Sequence, residues 1–80
     1  MERTRLVKLE WLRSFAAFAE RRNFTHAARA IHVSQPALHV QIQKLAETLG
    51  VPLYRKVGRE LALTVEGEKL AAFAREIEER

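Results

Sequence analysis

Cysteine is absent from the 80 residues. That removes disulfide frameworks, thiolate metal sites and cysteine nucleophiles together, and it fits a reducing compartment. Glycine is scarce at three residues, too few and too scattered for a glycine-rich phosphate loop. With two prolines there is no Pro-rich linker, and neither an internal repeat nor a low-complexity segment appears. Wholly apolar runs stop at the length of Phe15-Ala16-Ala17-Phe18-Ala19, far short of the roughly 20 residues a membrane span needs. The opening MERTRLVKLEW lacks the apolar core and small-residue cleavage site of a signal peptide. These absences predict a soluble, cytoplasmic chain with no membrane partner.

Catalytic and metal chemistry are also poorly supplied. His26, His32 and His39 include no pair at the i, i+4 spacing of a helical zinc site, and no carboxylate cluster accompanies them. No Ser/His/Asp arrangement is credible in so small a chain. The sequence predicts no metal, no cofactor and no enzymatic activity.

What is present is a basic, globular composition: 48% hydrophobic, 30% charged, net charge +4. The charge is unevenly spread. Residues 1–63 hold eleven Lys/Arg against five Glu, a balance of +6, and residues 64–80 hold three against five, a balance of −2. A basic body with an acidic-leaning tail points to a polyanionic partner for the body, against the plainer reading of an ordinary solvated surface. Eighty residues make one small domain, with a core worth only roughly 3–5 kcal/mol of net stability.

Four helices and one strand pair can be read. The first covers about residues 8–22, with Leu9, Leu12, Phe15, Ala16 and Ala19 recurring at three- and four-residue steps and Trp11 and Phe18 towards the other side. The second is short, with Thr25 as N-cap and Ala27, Ala28 and Ile31 inward. Ser34 caps the third, and Pro36 sits in its first turn, where no N–H bond is lost. Leu38, Ile42, Leu45 and Leu49 form its apolar stripe. Gly50 ends it and Pro52 prevents resumption. Leu53-Tyr54 and Leu61/Leu63 flank Val57-Gly58-Arg59 as a β-hairpin with a basic tip. Thr64 caps a last helix carrying Leu70, Phe73, Ala74 and Ile77, which Gly67 weakens slightly.

Two helices joined by a short turn and followed by a basic hairpin are the plan of a winged helix-turn-helix. The outer face of the third helix supports that reading. At 100° per residue, Pro36, Val40, Gln43 and Glu47 lie opposite the leucine stripe, with Gln35 and His39 on one edge and Lys44 on the other. A solvated face would be rich in Glu, Lys and Arg. Here the first two turns present a proline ring, a valine and amides, groups that pair with adenine or touch a thymine methyl. The bland alternative is that Val40 is a single exposed apolar residue.

These residues resemble the amino-terminal DNA-binding domain of LysR-type bacterial transcriptional regulators. The likeness rests on Phe24, Thr25, Ala27 and Ala28, then Val33-Ser34-Gln35-Pro36-Ala37-Leu38 and Gln41-Ile42. It continues through Leu45, Leu49-Gly50-Val51, Leu53-Tyr54, Gly58-Arg59 and Leu63-Thr64-x-x-Gly67, and covers the chain from about Val7 onward. The resemblance implies a mainly α winged helix-turn-helix at 1–64 (helix-turn-helix about 24–43, wing about 53–63), with 65–80 beginning a linker and dimerisation helix. It also implies sequence-specific binding of double-stranded DNA, with helix 35–49 in the major groove and the wing in the minor groove. Base contacts would come from Gln35, Pro36, His39, Val40 and Arg59. Phosphate contacts would come from Thr25, Ser34, Arg29, Gln43, Lys44, Arg55 and Lys56. Leu70, Phe73, Ala74, Ile77 and Trp11 would form a homodimer interface, pairing two domains on a spaced inverted repeat. Most members continue into a small-molecule-sensing domain that this chain lacks, so an inducer belongs only to a longer protein. The sequence departs from the family pattern at His39, Val40 and Arg55, where a small hydroxyl residue, an arginine and a glutamate are common.

Three further readings stay open at this level. In one, the helix bearing Leu70 and Phe73 defines a protein-interaction module whose basic body is incidental. Trp11, Phe15, Phe18, Phe24 and Phe73 can be taken as base-stacking rings or, at helical spacing, as core and interface. Arg3, Arg5 and Lys8 are candidate backbone contacts beside the groove.

Overall fold

The computed structural model describes residues 7–79. Along the chain run α1 (Leu9–Arg21), α2 (Phe24–Ala30), α3 (Gln35–Leu49), β1 (Tyr54–Val57), β2 (Glu60–Leu63) and α4 (Val65–Glu79). This is the winged helix-turn-helix plan with a further helix after the wing.

The face that α1 buries differs from the one its spacing suggests. Phe15 and Phe18 are fully buried, with Ser14 and Ala17 beside them, whereas Leu9 is 59% exposed. Nine residues at 100° per step place Leu9 about 180° from Phe18 on the helix, so the same geometry that buries Phe18 turns Leu9 to solvent. Trp11 and Leu12 are half-buried against the core, so α1 is covered over more than one face. Ser14 donates a side-chain hydrogen bond to Oε1 of Gln41, a polar tie between α1 and α3 that leaves no buried hydroxyl unsatisfied.

The N-cap of α2 is Asn23 and not Thr25. Its side chain accepts a hydrogen bond from the backbone N–H of His26 at 2.9 Å, because the helix already begins at Phe24. The turn into α3 closes through His32, which has φ +60°, a left-handed conformation in which histidine is among the tolerated residues. The N–H groups of His32 and Val33 then bond the carbonyls of Arg29 and Ala28. This is the paired closure that ends many helices.

Local signals decide α3. Ser34 Oγ accepts from the N–H of Ala37 at 3.1 Å, Pro36 lies in the first turn and Gly50 ends the helix at φ +75°. Leu38, Ile42 and Leu45 are buried against α1 and α2, with Leu49 half-buried.

The hairpin pairs Tyr54 with Leu63, Arg55 with Ala62, Lys56 with Leu61 and Val57 with Glu60. Only Gly58 and Arg59 form its tip, Val57 being the last residue of β1. Gly58 has φ +63°, as the first central position of a two-residue type II′ hairpin turn requires.

Thr64 anchors the start of α4 from both sides. Its hydroxyl donates to the Pro52 carbonyl at 2.7 Å and accepts from the N–H of Gly67 at 3.0 Å. Gly67 is buried there against the Leu53 backbone, a role its low helix propensity does not reveal. Farther along α4 Ala71 and Ala74 are buried as well, while Phe73 is 54% exposed. The inward stripe therefore runs through Gly67, Ala71 and Ala74 with Leu70 beside it, and the phenylalanine faces away from it.

Candidate nucleic-acid interface

Helix α3 meets solvent along two ridges. Gln35, His39 and Gln43 follow at steps of four, as do Pro36, Val40 and Lys44, and all six are exposed. A ridge of this kind runs nearly along the helix axis, so each faces a different flank of the domain.

The first ridge faces α2 and the wing. Gln35 Nε2 donates to Thr25 Oγ1 at 2.9 Å, which orders the amide and leaves its carbonyl and one N–H free. Thr25 Oγ1 and Ser34 Oγ each accept one hydrogen bond within the protein and keep a hydroxyl proton to donate. Gln35 and Thr25 share a groove with Arg59 at the wing tip, together with Phe24 and Leu61. The structure thus brings together three residues that lie far apart in sequence. Farther along α3, Gln43 Nε2 bonds Glu47 Oε2 at 3.5 Å.

His39 closes an aromatic column. Its ring stacks on Phe24 with centroids 4.1 Å apart and planes at 27°, and Phe24 stacks on the buried Phe18 at 4.5 Å. Tyr54, opening the wing, lies 5.1 Å from Phe18 and 5.6 Å from Phe24. The column ties α1, α2, α3 and β1 together and limits where the imidazole edge can point. Burial pushes the Tyr54 phenol above its ordinary pKa, as expected for a neutral ring held in apolar surroundings. Nothing in the sequence pattern signals the Phe24–His39 contact, because it depends on how α2 crosses α3.

The second ridge faces the start of α1, where Pro36, Val40 and Lys44 share a groove with Trp11 and Lys8. Val40 is 47% exposed.

On the wing, Arg55, Lys56 and Arg59 are exposed. Alternation along a strand sends Arg55 and Lys56 to opposite faces of the hairpin, with Lys56 on the side of Tyr54. Arg29 is exposed on α2. Among the residues expected at a dimer interface, Ala74 is 3% exposed and faces its own core. Leu70 and Ile77 are half-buried, Phe73 is exposed, and Trp11 lies beside α3. Arg3 and Arg5 lie outside the described residues. Among the described residues no group of three or more histidines and carboxylates is gathered as a metal site, and no helix is long and apolar enough to cross a membrane.

Residues 9–68 match the family model described as bacterial regulatory helix-turn-helix protein, lysR family. The chain belongs to the LysR family. LysR relatives include the RuBisCO operon transcriptional regulator of Acidithiobacillus ferrooxidans, 38% identical over 76 residues, covering 95% of this chain and 25% of the relative. The HTH-type transcriptional regulator BudR of Klebsiella aerogenes is 47% identical over 62 residues, covering 78% of this chain and 43% of the relative. The chain therefore spans between a quarter and under a half of the length of these curated relatives. Among solved structures, a CbnR DBD–DNA complex superposes with a TM-score of 0.81 at 39% identity, covering 90% of this chain and 83% of that one. A BenM DBD complex with catB site 1 DNA does so with a TM-score of 0.81 at 37% identity, covering 88% and 78%. The LysR fold of this chain is thus shared by domains solved in complex with DNA.

Proposed function

We propose that this chain is the operator-reading domain of a bacterial transcription regulator, binding duplex DNA with α3 in the major groove and the wing in the minor groove. The observation that carries the reading is the exposed face of α3. Its first two turns are uncharged, and its ordered amide Gln35 shares a groove with Thr25 and Arg59. Pro36 suits any helix start, but Pro36, Val40 and uncharged amides together on one exposed face fit base edges better than bulk solvent.

In this reading Gln35, Pro36, His39 and Val40 meet base edges. Gln35 keeps one acceptor and one donor, the pair that adenine matches, and Val40 packs on a thymine methyl. Arg59 enters the minor groove, where narrow A·T-rich segments concentrate negative potential. Thr25, Ser34, Arg29, Gln43, Lys44, Arg55 and Lys56 hold phosphates, and the hydroxyls of Thr25 and Ser34 donate the protons they retain. Residues 65–80 begin a pairing helix whose exposed Phe73, with Leu70 and Ile77, covers a second copy, so that two domains read a spaced inverted repeat. Any small-molecule inducer acts on a sensing domain beyond these residues. The wider regulator is non-enzymatic and works in the cytoplasm.

Selecting bound fragments from random duplex DNA tests this directly. The expected result is an inverted repeat, retained in a mobility shift against excess competitor duplex. Recovery of fragments with no common motif, at an affinity explained by charge alone, would return the domain to the protein-interaction reading.

A further inference from the structure

Base reading by α3 leaves a geometric question. A helix with its side chains is about 10–12 Å across and the major groove about 12 Å wide. A helix seated there has a sugar-phosphate ridge on each flank. In the DNA-binding reading Thr25 meets one of them, and the wing carrying Arg59 lies beyond it in the minor groove. The other flank is the groove between the start of α1 and the second ridge of α3, lined by Lys8, Glu10, Trp11, Pro36, Val40 and Lys44.

We propose that this groove seats a DNA sugar-phosphate strand, with Trp11 as its floor and Lys8 and Lys44 as its phosphate ligands. The proposal rests on the DNA-binding reading and adds a second backbone contact from α1, which makes Trp11 a DNA contact instead of a dimer contact. Three observations support it. Trp11 is half-buried, with one side on the core and one side open to the groove. No acceptor among the described residues takes its indole N–H, a donor suited to a phosphate oxygen. Lys8 Nζ lies 6.0 Å from the indole centroid, and both lysines are exposed and outside the ion pairs of the described residues. Trp11, Pro36 and Val40 form an apolar wall continuous with the base-reading face, suited to deoxyribose carbons. The Glu10 carboxylate lines the same groove and opposes an anion, so its removal has a predictable sign.

The chain has a single tryptophan, which makes the groove its own reporter. The selected duplex, carrying a fluorophore, is titrated while its anisotropy and the acrylamide quenching of Trp11 are followed in the same samples. As the complex forms, quenching is expected to fall. Lys8→Gln with Lys44→Gln is expected to reduce the magnitude of the slope of log affinity against log salt by about two, at ~0.9 per phosphate contact. Trp11→Phe, which keeps an aromatic ring in the groove but removes the indole N–H, is expected to weaken affinity about tenfold, the worth of one hydrogen bond to a charged oxygen. Glu10→Gln tightens it. Thermal melts of each variant separate lost binding from lost folding. An anisotropy rise with quenching unchanged and the salt slope intact would overturn the groove assignment and leave DNA binding standing. No anisotropy change would overturn both.

Discussion

A methyl group added at Gly67 would overlap the carbonyl of Leu53 and stand 3.3 Å from Thr64 Oγ1. Backbone cannot swing aside as a flexible side chain does, so the segment joining α3 to the wing would have to move. Helix propensity favours Ala over Gly by about 1 kcal/mol, and overpacking costs up to about 3 kcal/mol. The clash therefore wins, and Gly67→Ala is expected to destabilise the domain by about 2 kcal/mol, read as a lower urea midpoint at unchanged slope. A stabilised variant would show that the Leu53 segment yields freely. The same residue shows where single positions were legible and where they were not. Leu38, Ile42 and Leu45 were readable as core because a stripe on one helix needs no knowledge of its neighbours. Gly67 looked like a small defect in α4, because its reason lies fourteen residues upstream. Leu9 matched a plausible stripe on α1, but Phe15 and Phe18 together command a different face, and a leucine opposite them has nothing to pack against.

Helix ends were legible wherever the capping bond is local. Ser34 and Gly50 bracket α3 through bonds spanning three or four residues, so their spacing alone identifies them. For α2 the sequence points to Thr25 as the N-cap, whereas the cap is Asn23. Asn23 wins because Phe24 is already helical and stacks on Phe18, which draws the first turn back by two residues. Thr25, placed inside the helix, is left to hold Gln35. The two residues therefore separate stability from recognition. Asn23→Ala is expected to cost about 1 kcal/mol of stability, as loss of an N-cap does, with little change in operator preference. Thr25→Ala is expected to stay within about 0.5 kcal/mol of the parent and to weaken DNA binding by freeing the Gln35 amide and removing a phosphate donor. Urea denaturation and fluorescence anisotropy on the same two variants check this, and the opposite pattern would restore Thr25 as the cap.

At the scale of the whole molecule, element order, wing and charge asymmetry all follow from the sequence, whereas the contacts that aim the recognition surface do not. Ser14 with Gln41 and Phe24 with His39 are pairs set by helix crossings, as is the groove that Trp11 and Val40 both line, and no periodicity encodes a crossing. The same holds for the surface left over once the domain is packed. Burying α4 through Ala71 and Ala74 leaves Phe73 54% exposed, with the half-buried Leu70 and Ile77 at three- and four-residue steps from it. An exposed phenylalanine on such a stripe fits pairing with a second copy, and the net negative tail keeps that helix away from the phosphates its basic body attracts. If α4 pairs two domains, linkage converts the second half-site contact into an intramolecular one, worth about 100-fold or more in apparent affinity. Phe73→Glu introduces a charge at a position already facing solvent in the single domain, so its stability should change little. Its affinity for the full inverted repeat should fall to that of a half-site, about 100-fold weaker, while half-site binding itself is unchanged. Sedimentation of the variant as a monomer alongside that loss would support pairing through α4, and unchanged affinity for the full repeat would place the dimer contact elsewhere.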